Sequence, residues 1–324
     1  MKFFIYMILF VLLTACNTES SKQSTVPLSI AVESAWVGYI HIIIAQEKGF
    51  FEQHQAHVKL VLGSNSPNTE EFYKTKKADG LLNVLADNII LNADGFPTQV
   101  VMVIDSSFSA DAIVASPKIK TVSDLVNKTV SFEELNSFSH LFVVKTLAKA
   151  GLKEGQFEAK TILGTEAFTA LQAGQVDAAY IYEPTLSQAL DAGFHVIAKA
   201  GDIPGLITDV LAFRETVVQQ RPEQIQRTIA AILDARDYVA QHPEESLAIF
   251  AKFNQATAQE FAAGFKGLHY PNLEDNYLAL QPEGLIFKNS REIIDFYMEK
   301  GQIVKLPSLE NMVNSDFIKQ LSQK

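Results

Sequence analysis

An α/β architecture of two lobes with a helical C-terminal extension is what this chain predicts, on three observations. Short apolar runs alternate with helical patterns from Pro27 to Phe213, the sequence form of strands joined through helices. After about Arg221 the pattern turns almost wholly helical. The chain has 324 residues, 48% of them hydrophobic, which suits two cores, because a single core stops growing at about 250–300 residues.

The elements follow in order. One charge, Lys2, precedes an apolar run from Phe3 to Leu13, closed by Leu13-Thr14-Ala15-Cys16. That run is too short to span a bilayer and suits the core of a signal peptide. Its closing tetrapeptide resembles a bacterial lipobox, so residues 1–15 are expected to be a lipoprotein signal peptide and Cys16 the acylated residue, with palmitate as one chain. An ordinary leader followed by an accidental cysteine is the alternative. Residues 16–25 are polar, without apolar periodicity, and read as a flexible tether. Strands are then predicted at Leu28–Val32, Val58–Leu62, Leu81–Leu85, Val100–Ile104, Ala112–Ala115, Thr129–Phe132, Lys160–Leu163, Ala178–Tyr182, His195–Ala198 and Val210–Phe213. Helices fall between them at Tyr39–Lys48, Thr69–Lys77, Asp87–Ala93, Ser139–Ala150, Ala167–Ala173 and Thr185–Ala192, an alternation that points to parallel sheets. Pro222 suits a helix first turn, and Gln224–Ala240 is long and amphipathic. Glu244–Phe253, Thr257–Lys266, Arg291–Glu299 and Ser315–Leu321 complete the helical extension.

Composition narrows the function. The formal net charge is −10, which argues against nucleic acid or an anionic lipid surface as partner. Cys16 is the single cysteine, so no disulfide is expected to staple the body. Anchoring would fall to Cys16 alone, at about 0.8 kcal/mol per buried CH₂.

Two stretches share a grammar: Ala78-Asp79-Gly80 opens a strand that reaches Asp87-Asn88, and Val176-Asp177-Ala178 opens one that reaches Glu183-Pro184. Two lobes facing across a cleft would place such acids at the cleft, since ligands of open α/β sheets bind beyond the carboxyl ends of strands. The strand ends carry Glu33-Ser34-Ala35-Trp36-Val37-Gly38-Tyr39, Asp87-Asn88, Asp105-Ser106-Ser107, Ser137-Phe138-Ser139-His140, Glu183-Pro184 and Thr208-Asp209. These are acids, hydroxyls and aromatics with almost no Lys or Arg, a make-up suited to a small cationic or amine-bearing solute. Each has a plainer reading beside this one. Trp36 fits a core as well as a stacking platform, and Asp87 fits a helix cap as well as a ligand contact. Ser137 or Ser139 fits a cap whose free N–H groups also receive polar ligand atoms. Glu183 and Asp105, ending apolar strands, need partners if buried. Asp111 and Asp209 fit hinge or strand-edge positions as well as a pocket.

Trp36-Val37-Gly38-Tyr39 followed by Ala45-Gln46-Glu47-Lys48-Gly49-Phe50-Phe51-Glu52 resembles the first helix of the nitrate/sulfonate/taurine-type solute-binding proteins, a family that includes binders of thiamine pyrimidine precursors. More of that pattern recurs in order: Ala110-Asp111-Ala112, Thr121-Val122-Ser123-Asp124-Leu125, Ala173-Gly174-Gln175-Val176-Asp177-Ala178, Tyr182-Glu183-Pro184 and Ile203-Pro204-Gly205-Leu206, covering about Pro27 to Phe253. The resemblance implies a type II periplasmic-binding-protein fold, with lobe one at 26–112 plus 208–324 and lobe two at 113–207. It places hinge crossings near Ile113–Ser116 and Leu206–Leu211. It also implies ligand capture by lobe closure, delivery to an ABC permease, a monomeric protein at the cell envelope, and no cofactor. By family position Trp36, Tyr39, Ser137, His140 and Glu183 are contact candidates, joined by Asp87, Asp105 and Asp209. Where anion binders of the family need donor-rich pockets, this chain offers acids, which sets it against nitrate, taurine and simple sulfonates.

Catalysis is not expected. Relatives of this fold that make a thiamine pyrimidine use a cysteine-rich segment, and no cysteine follows Cys16. His54 and His57 form an isolated pair, and the other histidines have no ligand spacing, so no metal site is expected. A ligand-sensing lipoprotein that reports to a membrane receptor is the remaining alternative, since closed lobes would serve either partner.

Overall fold

The computed structural model describes residues 26–305 and 308–323. The predicted signal peptide, Cys16 and the tether at 16–25 therefore lie outside the described residues.

Among the described residues eleven strands form two sheets. In chain order they are β1 (Leu28–Glu33), β2 (Val58–Gly63), β3 (Gly80–Val84), β4 (Thr98–Ser107), β5 (Asp111–Ala115), β6 (Thr129–Phe132), β7 (Glu158–Thr161), β8 (Ala178–Tyr182), β9 (His195–Lys199), β10 (Thr208–Arg214) and β11 (Leu268–His269). The first sheet has the order β11-β4-β10-β3-β1-β2 and the second β7-β6-β8-β5-β9. Strands buried on both faces read as continuous apolar runs: Val100–Ile104 of β4, β5 and most of β8 are buried throughout. The edge strand β7 (Glu-Ala-Lys-Thr) is exposed at every residue, as an edge that must resist pairing with another chain should be. It lies two residues earlier than the predicted Lys160–Leu163.

The sheets are mixed rather than parallel. β1 pairs parallel with β2 and β3, and β6 with β7 and β8. β10 runs antiparallel between β3 and β4, and β5 antiparallel between β8 and β9. These are the strands by which the chain enters the second sheet and returns to the first. Arriving from the neighbouring sheet rather than through a crossover helix, they need not share their neighbours' direction. The chain passes from β4 to β5 through residues 108–110 and from β9 to β10 through residues 200–207. Ile113–Ala115, expected at a crossing, is built into the second sheet.

Helices cover both sheets. Ile40–Glu47 (Ile-His-Ile-Ile-Ile-Ala-Gln-Glu) buries its first six residues and packs against Pro222–Gln241. That burial includes His41, whose ring meets Tyr270 edge-on at 4.5 Å and whose pKa burial lowers to about 3. The helix Leu273–Ala279, which periodicity did not predict, docks on β4 through Asn276. Its Oδ1 accepts the Val103 N–H at 2.7 Å and its Nδ2 donates to the Val103 carbonyl at 3.2 Å. Among the described residues no helix is long and apolar enough to cross a membrane.

Candidate functional site

A cavity of about 480 Å³ opens between the sheets. Its walls come from matching edges of the two: the ends of β1, β3 and β8, the loop after β6, and the starts of the antiparallel β5 and β10. That is where strand direction reverses, the usual seat of a ligand in open α/β sheets.

The wall on the first sheet is built on a strand pairing. Asp209 of β10 stands opposite both Asp105 of β4 and Val84 of β3, so the carboxyls of Asp105 and Asp209 share one face. Trp36 Nε1 donates to Asp209 Oδ2 at 2.8 Å, and the Tyr39 hydroxyl donates to the same carboxyl. Gly38, in the turn between these rings, is required by contact: a Cβ there would lie 2.1 Å from Asp105 Oδ2 and 2.3 Å from Trp36 Nε1. Burial, followed by the charge of Asp209, pushes Asp105 well above the usual carboxylate range, and burial pushes Asp209 up to about 7. Asp105 Oδ2 and Asp209 Oδ1 make no well-formed hydrogen bond, although the Trp36 N–H also favours the ionised form of Asp105. Two neighbouring carboxyls in that position keep a proton between them.

Two further acids complete this wall. Glu33 ends β1, and its carbonyl accepts the Trp36 N–H at 3.4 Å while its carboxyl lines the cavity. Burial, then the charges of Glu133 and Asp209, raise its pKa to about 8. Asp87 lies in the first turn of helix Leu85–Ala93, whose N-cap is Val84, so it is not the cap of that helix. Burial and the charge of Glu70 raise it well above the ordinary range, against the Phe138 N–H that favours its ionised form.

The wall on the second sheet holds its acids with neutral donors. The Tyr180 hydroxyl makes a short hydrogen bond to Asp111 Oδ1, while Oδ2 makes no well-formed hydrogen bond and the Ser107 hydroxyl beside the carboxyl favours its charged form. Burial raises Asp111 to about 6. Glu133 Oε1 accepts the Gly164 N–H at 3.1 Å, and burial raises that side chain to about 7. Tyr182 meets the edge of Trp36 at 5.9 Å across the gap. Ser137, also on the wall, caps helix Phe138–Lys149 by accepting the His140 N–H, and its hydroxyl donates to the Glu134 carbonyl at 2.8 Å. Among the described residues Lys74 is the one cation on the lining, and it is already paired with Glu70 at 3.1 Å. Asp111, Glu133, Asp209 and Glu33 are thus all raised by burial above the ordinary carboxylate range.

Of the candidates taken from the sequence, Trp36, Tyr39, Asp87, Ser137 and Asp209 meet on this cavity, while Asp105, His140 and Glu183 do not line it. Asp105 sits one layer behind, against Asp209. His140 is 1% exposed. Its ring stacks on Phe132 at 4.5 Å and meets Phe296 at 5.7 Å, and Nε2 lies 3.2 Å from Glu154 Oε1. Glu154 also pairs with Lys300, so His140 helps hold the helical extension to the second sheet's layer. Glu183 is satisfied locally: Ser187 donates to it from N at 3.1 Å and from Oγ at 2.9 Å. Its Cβ would lie 3.1 Å from a Cβ on Gly264, at a packing contact with the extension. Glu133, Tyr180 and Tyr182 were missed. The first directly follows the sixth strand, much as Glu33 ends the first, and the tyrosines alternate on β8, so both signals were in the sequence. Among the described residues no group of three or more His, Cys, Asp or Glu could hold a metal ion.

The family model described as NMT1/THI5 like matches residues 36–246. The taurine-binding periplasmic protein of Escherichia coli is 21% identical over 224 residues, 66% of this chain and 68% of its own. Among solved structures, the periplasmic aliphatic sulphonate binding protein SsuA of Escherichia coli superposes with a TM-score of 0.73 at 21% identity, covering 91% of this chain and 99% of its own. The desulfurization enzyme DszB does so with a TM-score of 0.67 at 14% identity, covering 91% and 99%. The fold is thus that of the periplasmic binding proteins, mixed α/β with two sheets and a helical C-terminal region, and it also occurs in an enzyme.

Proposed function

The chain belongs to the NMT1/THI5-like family, and from that premise we propose that it is the solute-binding component of an ABC importer whose cargo is a small cationic or amine-bearing molecule, including heteroaromatic bases. The observation that carries the cargo reading is the charge of the cavity: carboxylates from both sheets and a single lysine already engaged by Glu70. Desolvated acids recover their charged form when a cation enters, so part of the burial penalty turns into ligand affinity. Trp36 and Tyr182 supply ring faces or edges for an organic cation. A sulfonate would meet like charge on nearly every side. The taurine binder among the relatives is named for a molecule that carries an ammonium as well as a sulfonate, so its name fits either end of this argument.

In this reading the units 26–112 plus 208–324 and 113–207 act as lobes, and a solute that touches both walls favours their closed arrangement by its differential contacts. Acylation of Cys16 would keep the monomeric receptor beside its permease at the cell envelope. Binding without catalysis is supported by the family's binding proteins and by the absence of any cysteine nucleophile beyond Cys16. A thermal-shift screen of the purified protein tests the cargo class, because ligand raises apparent stability by mass action. Shifts with amines and heteroaromatic bases are expected, and shifts confined to sulfonates or nitrate would overturn the reading.

A further inference from the structure

Resting on the cation reading above, we propose that the solute is a dication, a short chain with an amino group at each end, one seated on the acids of the first sheet and the other on those of the second. The acids are divided between facing walls. Glu33, Asp87 and Asp209 belong to the first sheet and its helix, and Asp111 and Glu133 to the second sheet. Each wall has acceptor capacity that the protein leaves unused. Asp111 is only 2% exposed; its Oδ1 is fixed by Tyr180, and its Oδ2 makes no well-formed hydrogen bond, the Ser107 hydroxyl beside the carboxyl favouring its charged form. On the first wall Asp209 Oδ1 makes no well-formed hydrogen bond, and the Glu33 carboxyl lines the cavity beside it.

A single ammonium placed against either wall leaves the opposing wall's carboxylates desolvated and unbalanced, and Lys74 is committed to Glu70. Two ammonium groups balance both walls and supply the donors that the unused oxygens lack. Between the walls lie Trp36, Tyr182 and Leu163, apolar surface of the kind that an aliphatic stem covers. The cavity, about 480 Å³, falls within the range of about 300–1,000 Å³ usual for small-molecule sites. The same division of charge makes the dication a bridge: it gains its second set of contacts only when both walls are in reach.

Isothermal titration of the purified protein with 1,4-diaminobutane and 1,5-diaminopentane, against 1-aminobutane, 1-aminopentane, taurine and butanesulfonate, tests this. At least one diamine is expected to bind about 100-fold more tightly than the monoamine of equal length. The Glu133→Gln protein should lose most of that diamine-over-monoamine advantage. Equal affinities for diamine and monoamine would overturn the dication and leave the cation reading standing. Binding of butanesulfonate alone, or of neither amine series, would overturn both. The wild-type diamine-to-monoamine ratio needs no substitution, so it decides the matter even if Glu133→Gln fails to fold.

Discussion

The two walls of the cavity handle the same problem, buried acid, in different ways. On the first sheet Asp105 and Asp209 form a pair bound from one side by Trp36 and Tyr39. On the second sheet Asp111 leans on the Tyr180 and Ser107 hydroxyls and Glu133 on the Gly164 N–H, with no second carboxyl in hydrogen-bond contact. A pair that holds one proton between two carboxyls presents a fixed, well-packed surface. Acids held by neutral donors, not by a second carboxyl, can take up or release charge as a ligand arrives. The difference suggests that the first wall shapes the site and the second tunes its charge.

The sharpest way to break that division is Trp36→Ala. It removes a buried ring and leaves Asp209 Oδ2 without its indole donor, at a cost of about 3–5 kcal/mol in urea-unfolding stability. Amine affinity should fall with it, while Trp36→Phe restores much of the stability and less of the affinity. Gly38→Ala attacks the same wall by overpacking and should cost about 1–3 kcal/mol, with a shift of Asp105 visible in carboxyl NMR titration. A Gly38→Ala protein of wild-type stability would show that the contact relaxes freely.

The pH dependence joins the walls. The folded pKa values of Asp111, Glu133, Asp209 and Glu33, about 6 to 8, lie above the ordinary values of 3.8 and 4.5. Their contribution to stability is complete below those ordinary values and is lost as pH rises through 6 to 8. The ligand-free protein should therefore gain melting temperature between pH 8 and pH 6. Amine affinity should run the opposite way and weaken as the acids protonate. Parallel trends in the two would refute the link between charge and capture. The smallest effect belongs to Glu183→Gln. With both oxygens engaged by Ser187, it should leave amine affinity within about twofold of wild type by titration, and a loss beyond tenfold would return Glu183 to the site.

Most of the fold was legible because its elements carry strong periods: ten of the eleven strands were predicted, and β11, two residues long, has no period to read. Strand direction was not legible, since β5 and β10 owe theirs to where the chain comes from rather than to local residues. In the site, acids at strand ends were legible as a class, and Trp36, Tyr39, Asp87, Ser137 and Asp209 do meet. Which acids reach the cavity depends on partners that no local pattern shows. Ser187, four residues on, draws Glu183 away, and Phe132, Phe296 and Glu154 draw His140 into packing. Asp105 and Asp209, 104 residues apart in the chain, become neighbours only through the register of β4 and β10.

Trp36 is the single tryptophan of the chain. Its indole nitrogen is tied to one sheet through Asp209 while its ring edge rests against Tyr182 of the other. All indole emission of this protein therefore originates at the seam between the sheets, beside an ionisable quencher. The molecule carries its own optical gauge of the gap, readable without any attached dye.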